Sequence, residues 1–483
     1  MKRILTLILA SVLLLGVVCS CSGTGNGGNG GGKDVIQTDG DYKMPDVNMN
    51  GAEIKVLNPN EFANMKIDFV VPESADDTLD IAIYESNMRA QEQFNFTLVE
   101  DEFAATGWDT TYIDMANHFI KNVNSGDDVY DFIHFPVNQR MDLMTNGYIM
   151  DLSELEGFQL DKPWWDTNIN KVININGRQY MISGSINLMP YECMTCIFFN
   201  KDILNDNALD SPYEMVKNGS WTLDALIELG QSAINLNSDS NWWVLEGGTS
   251  VAGIGRHRDY PMFFLKSAGI DFVTEADGDY EFSLESDDFY SAVEKIQVLF
   301  KGCTDGGIGT GDASATAYHY LTLFSTNRCL FTMGELKAGV ELRDSEVDFG
   351  LLPMPKLRAE QENYITTDLE RLHFICIPST SEDPENVAKI LDAMAYDRYK
   401  NVVPVYYDSY ITYKGLRDEE SLDMLEIMTE TRTIDPGIAY GWCNELLTKI
   451  SHEITSDGIA SMIAAEKNSI NETIDDFVEN YLN

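Results

Sequence analysis

Residues 164–204 read WWDTNINKVININGRQYMISGSINLMPYECMTCIFFNKDIL, and the order of signals inside them decides the fold. A tryptophan pair comes first, then the Asn176-Gly177 dipeptide, which favours a tight turn because both residues tolerate positive φ. A strand-like run from Gln179 to Ile182 follows, then a loop of small and polar residues, then a second strand-like run from Cys196 to Phe199. Asn200-Lys201-Asp202-Ile203-Leu204 closes the stretch.

Outward from this stretch the same alternation continues. Strand-like segments are expected at 53–57, 96–99, 130–135, 328–333, 349–352 and 374–378. Between them, Tyr112, Met115, Phe119 and Val123 recur at helical spacing, as do Phe289, Val293, Ile296 and Phe300, so each set predicts one buried helix face. Thr222 reads as a helix N-cap, and Asp383-Pro384 as a cap followed by proline in the first turn. Short connections between strands and helices predict α/β architecture with parallel sheets. Beyond about residue 380 the pattern is helical almost to the end, and no repeat of domain-array length is visible.

The chain has 483 residues, 44% of them apolar, which is ample for a large core. Its 33 Lys+Arg stand against 78 Asp+Glu, a formal net charge of −45. That balance argues against nucleic acid or an anionic lipid surface as a direct partner, since both recruit a positive face.

Lys2 and Arg3, the apolar stretch from Ile4 to Val18 and Ser20 before Cys21 form an export signal over residues 1–20. The stretch would span only about 22 Å as a helix, short for the roughly 30 Å hydrocarbon layer. Val18-Cys19-Ser20-Cys21 resembles a bacterial lipobox, which implies lipidation at Cys21, with Cys19 as the alternative. An ordinary cleaved signal peptide with incidental cysteines is the competing, less favoured reading. Residues 21–50 then hold the anchor and a tether, of which Ser22 to Lys33 is a Gly/Asn/Ser tract.

Chemistry-bearing motifs are sparse. Cys193-Met-Thr-Cys196 has redox spacing but leads into a strand-like run rather than a helix start, so packing explains it better. HExxH, GxSxG and GxxxxGK[ST] are absent. Gly306 to Gly311 reads as a loop. Asn235, Asn237, Asp239, Asn241 and Glu246 fit calcium-loop spacing, yet Ser240 stands where such a loop needs glycine. Trp108, Trp164, Trp165, Trp221, Trp242, Trp243 and Trp442 lie near polar segments, where flat apolar faces suit sugars; core packing is the competing role for each. No cofactor or metal is expected.

The ordered landmarks resemble the maltose-binding type of bacterial extracellular solute-binding proteins. They are Gly126 to Ile133, the 164–204 stretch ending FNKDIL, Ser220 to Leu226 (SWTLDAL), Arg328 to Leu336 (RCLFTMGEL), Val347 to Lys356 (VDFGLLPMPK) and Ser379 to Leu391, and together they cover nearly all of the chain from Gly51 onward. The resemblance implies a two-lobe periplasmic-binding type II α/β fold with interleaved lobes and a helical C-terminal segment. The implied partition is 51–151 and 314–367 for the first lobe, 152–313 and 368–483 for the second. It also implies a ligand held between the lobes.

The ligand-binding candidates are Asn58, Phe135, Asn138, Tyr191, Glu192, Glu335 and Trp442 by the same resemblance, with Trp242 and Trp243 added from the aromatic reading. Phe135, Asn138 and Trp442 fall where the family has stacking or hydroxyl-binding groups, whereas Leu446 stands where it has an arginine, and Gly334-Glu335 replaces its G-P-W. The expected function is a lipid-anchored, extracytoplasmic carbohydrate-binding protein that serves an ABC importer permease, without catalysis of its own and touching the membrane only through the anchor. The alternatives are a polyamine or cationic-peptide carrier of the same fold, a surface glycan hydrolase using two carboxylates, and a sensor for a membrane kinase.

Overall fold

Strand β1 (Ala52–Pro59) is the axis of the first sheet, ordered β11-β3-β1-β2. β2 (Phe96–Phe103) and β3 (Phe132–Phe135) flank it in parallel. β11 (Phe374–Cys376) closes the edge antiparallel to β3, with Phe374 opposite Phe135. The computed structural model describes residues 35–481 except 41, 60–68, 105–109, 137–139, 237–242, 247–258, 277, 301–321, 326, 328, 343–344, 368–371, 409–417 and 455. Cys21 and most of the tether, Asn138, Trp242 and the Gly306 run lie outside the described residues, as does most of the calcium-like spacing.

Helix α1 (Thr78–Phe94) joins β1 to β2. Asp77 starts it by accepting from the Leu79 N–H, and Asn95 ends it in the left-handed region at φ 52°, where its own N–H reaches the Gln91 carbonyl. Helix α2 (Thr111–Ser125) buries Met115 and Phe119 of the predicted face and stops at Gly126 with φ 72°.

The second sheet is ordered β5-β8-β4-β9, with β4 (Thr195–Asn200), β5 (Trp243–Glu246), β8 (Cys329–Glu335) and β9 (Phe349–Leu352). Every residue of β4 is buried, with strands flanking it on both sides and Phe199 packed edge-on against Tyr213 of the helix Pro212–Lys217. Burying Phe198 and Phe199 there stabilises the fold by roughly 1.5–3 kcal/mol each. At its end, Asn200 accepts from the Ile203 N–H and starts the next helix, Lys201–Asp206. Two small pieces complete the strands: the hairpin β6 (Val273–Ala276) with β7 (Asp279–Phe282), and the pair β10 (Thr366–Thr367) with β12 (Arg432–Thr433).

Several expectations hold in detail. The predicted strand 349–352 is β9, Thr222 caps the helix Leu223–Leu236 by accepting from the Ala225 N–H, and proline opens the helix Pro384–Asn401. Others need correction. Both sheets are mixed, since β11 runs against β3 and β4 runs against β8 and β9. Gln179 to Ile182 forms only an isolated bridge, Ile182 to Ile375. The implied lobe partition fails on strand pairing: β8 and β9 lie in the sheet of β4, and β11 lies beside β3. Short apolar strands such as FGLL and FIC fit either sheet equally well, so order along the chain alone could not place them.

Further helices are α3 (Thr167–Val172), α4 (Met189–Glu192), α5 (Leu223–Leu236), α6 (Asp259–Ser267), α7 (Asp287–Val298), α8 (Pro384–Asn401), α9 (Glu419–Glu430), α10 (Asn444–Glu453) and α11 (Ile459–Tyr481). The helical C-terminal segment serves both sheets. α8 packs on α1 beside the first, whereas α9 packs on β9 in the second.

Candidate functional site

Parallel strands leave their carboxyl ends as the natural place for a ligand in open α/β sheets. At that edge of the first sheet stand Asn58, near the end of β1, and His134 and Phe135, at the end of β3; all three are buried. Asn58 donates to Glu100 Oε1 at 2.6 Å, and its Oδ1 lies 2.9 Å from His134 Nδ1. The other imidazole nitrogen, Nε2, lies 3.0 Å from the Asn187 amide nitrogen. That amide can only donate, so Nε2 accepts and Nδ1 carries the proton toward Asn58. Burial, and after it the nearby His373, hold the His134 imidazole well below its ordinary pKa, which agrees with this neutral tautomer.

Asn187 passes the chain of hydrogen bonds to helix α4. Its Oδ1 accepts from the Met189 N–H at 2.9 Å and fixes the start of this single turn, where Pro190 stands without an N–H to satisfy. The far end of α4 is fastened to the second sheet: the Lys337 N–H donates to the Glu192 carbonyl and the Leu336 N–H to the Met194 carbonyl. Thr195 lies opposite Glu335 in the β4–β8 ladder. Helix α4 therefore bridges the ends of the two sheets.

Five candidates lie on this helix or at the ends of the sheets it bridges. Asn58 and Phe135 belong to the first sheet, Tyr191 and Glu192 to α4 itself, and Glu335 to the end of β8. Glu192 and Glu335 are part-exposed, while Tyr191 is buried with its hydroxyl 2.7 Å from Ser185 Oγ. Phe135 meets the half-buried Tyr112 edge-on at 6.0 Å, and Tyr112 lies 5.5 Å from the His373 ring. The junction thus combines aromatic surface, part-exposed carboxylates and a neutral polar support.

The remaining candidates stand elsewhere. Trp442 belongs to an aromatic cluster, stacked on Tyr440 at 5.1 Å with Tyr280 and Phe477 at its edges. Trp243 lies in β5 opposite Cys329. Three further tryptophans are structural. Trp164 and Trp165 both donate to Asp392, and Trp221 donates to the Pro353 carbonyl at 2.9 Å. Gly184 passes so close to Trp165 that a Cβ there would meet the ring at 2.5 Å. Cys193 and Cys196 are buried, and burial pushes the Cys196 thiol well up, away from the reactive thiolate.

Reading residue types alone missed His134, Asn187, Arg398 and Arg432. A histidine inside the otherwise apolar strand Phe-Ile-His-Phe was the one available signal. Among the described residues no group of three or more His, Cys, Asp or Glu side chains is arranged to hold a metal ion, and no helix is long and apolar enough to cross a membrane. A separate cavity of about 760 Å³ lies beside α3, the β6–β7 hairpin and β12, and none of the five residues around α4 lines it. Its buried Lys266 is already paired with Asp271 and Asp435.

No family model matches the sequence, and no curated protein matches it. Solved structures do. A cyclo/maltodextrin-binding protein complexed with maltotetraose aligns with a TM-score of 0.56 at 12% identity, over 88% of this chain and 97% of that one. An ABC-transporter solute-binding protein from Thermotoga lettingae bound with alpha-D-tagatose aligns at 0.53 and 14% identity, over 88% and 100%. An ABC substrate-binding protein from Listeria monocytogenes in complex with cycloalternan aligns at 0.53 and 13%, over 88% and 99%. The chain has the two-lobe α/β fold that these binding proteins share.

Proposed function

We propose that this chain is the extracytoplasmic substrate-binding component of an ABC importer, lipidated at Cys21, and that it captures a carbohydrate at the junction around α4. The observation that carries this reading is the unbroken hydrogen-bond chain from Asn58 through His134 and Asn187 into α4, which ends beside the part-exposed Glu192 and Glu335. Carboxylate oxygens accept from sugar hydroxyls, and the half-buried Tyr112, backed by Phe135, supplies apolar surface for C–H faces. His134 is held neutral and inside the protein, so it positions groups and does not exchange protons with a substrate. The solved structures of this fold that are bound to tagatose, maltotetraose and cycloalternan support a carbohydrate as the ligand class.

The test is a thermal-shift panel of tagatose, maltotetraose and ribitol against spermidine and a lysine-rich peptide. A ligand at 100 times its Kd adds about 2.7 kcal/mol to stability, an easily read shift. A carbohydrate is expected to stabilise the protein, and Glu192→Gln to weaken its binding by roughly tenfold, about 1.4 kcal/mol. Stabilisation by spermidine or the peptide alone would transfer the reading to a cationic ligand. Turnover of a glycan would replace it with hydrolysis.

A further inference from the structure

The segment from Ile186 to Pro190, which leads into α4, is held at both ends by buried arginines. Arg398 on α8 donates through Nη1 to the Ile186 carbonyl, while its Nη2 reaches Asn87 Oδ1 at 2.7 Å and the Phe69 carbonyl at 3.3 Å. Arg432 on β12 donates through Nη1 to the Pro190 carbonyl, pairs through Nη2 with Asp166, and lies with its guanidinium 5.1 Å above the Tyr191 ring. Their residues are 2% and 6% exposed, so neither guanidinium is spent on solvent.

The two arginines come from opposite sides. α8 packs on α1, which carries Asn87, in the layer of the first sheet. Arg432 lies in β12, directly after α9, which packs on β9 of the second sheet. Between the two grips, Asn187 ties the middle of the segment to His134 on β3.

We propose that Arg398 and Arg432 are positioning residues that fasten α4 to both lobes, so that the angle between the lobes and the placement of Tyr191 and Glu192 change together. This rests on the binding function proposed above, because it makes α4 the element that reports lobe closure to the ligand. The chemistry suits the task. A carbonyl oxygen held by a buried guanidinium in a fixed fork is directional, and losing it leaves a buried charge with fewer partners. The grips also differ. Burial would lower the Arg432 pKa, but Asp166, with Tyr191 and Tyr407, offsets it and the net shift is upward, whereas burial lowers that of Arg398 to about 10.

The test needs no ligand. Spin labels at Met88→Cys on α1 and Val298→Cys on α7, both exposed positions, report the distance between lobes in the full mature chain. Arg398→Lys and Arg432→Lys are each expected to broaden that distribution or move it by several ångströms, and the double variant to add little to either single one, because one loosened end already frees the segment. Should a lysine variant fail to fold, Asn87→Ala and Asp166→Asn loosen the same two grips more mildly and predict the same broadening. Folded variants with lowered melting temperatures but the parental distance distribution would overturn the proposal and leave the arginines a merely structural role. Since no sugar enters this measurement, its failure is separable from a failure of the carbohydrate panel.

Discussion

Asp392 and His134 are both fully buried polar side chains, yet their surroundings differ in kind. Asp392 gathers four N–H donors: the indoles of Trp164 and Trp165, at 3.1 and 2.7 Å, and the backbone and side-chain amides of Gln159, both at 3.0 Å. Tyr42 stacks on Tyr396 at 4.4 Å beside it. Everything around Asp392 points inward. His134 instead sits in a line that runs from one sheet edge to α4 and ends next to part-exposed carboxylates. A closed set of donors is structural, whereas a line that reaches the surface can hold a binding group in place.

The sharpest break of this contrast is Asp392→Asn. Replacing one carboxyl oxygen by an amide turns an acceptor into a donor that faces other donors, and the expected loss is about 3–4 kcal/mol in urea unfolding, with carbohydrate affinity of the folded fraction unchanged. An affinity that falls with it would show that the two regions are one system. Next in size is Asn187→Leu, which removes the link between His134 and the Met189 N–H; a loss of about 1–3 kcal/mol is expected, now accompanied by weaker ligand binding. Unchanged affinity in that variant would place Asn187 with the structural residues.

The smallest effect is read against pH. The folded-state pKa of His134 lies well below the ordinary 6.5, because burial and then His373 disfavour the charged ring. Above about pH 6.5 the ring is neutral in both states and its contribution is intact; as pH falls further the unfolded chain takes up a proton that the folded one refuses. Stability then declines by up to about 1.4 kcal/mol per pH unit until the folded pKa is reached. Asp131, pushed up to about 6 chiefly by burial, works in the opposite sense between 3.8 and about 6, where the folded state binds the extra proton. The informative quantity is therefore the difference between wild type and His134→Gln, in which the variant is expected to lose the downward slope below pH 6.5. Parallel curves would mean that His134 is not the group responsible.

Much of the fold was legible because it rests on local spacing. The Met115 and Phe119 face, the strand Phe349 to Leu352, the Thr222 cap and the proline opening of α8 follow from side-chain periodicity and backbone chemistry within a few residues. The hairpin β6–β7 and the two-residue strands β10 and β12 were not seen, since short or alternating polar strands leave little periodic signal. Of the candidate site, Asn58, Phe135, Tyr191, Glu192 and Glu335 were indicated by position and are gathered about α4. The roles of Trp164 and Trp165 could not be read, because an indole beside polar residues looks the same in sequence whether its N–H meets a sugar or Asp392.

The sequence by itself determined an acidic α/β chain with capped helices and a polar, aromatic-rich crossing stretch, all of them properties of residues near one another along the chain. Tertiary structure alone decided which sheet each strand joined, that Trp164 and Trp165 share one carboxyl group, and that Arg398 and Arg432 meet on a single segment. These partners are separated by hundreds of positions, as with Trp165 and Asp392. A guanidinium or carboxyl group carries no mark in sequence of which distant carbonyl or indole will satisfy it; that is settled only when folding removes water and each buried polar group must find a partner.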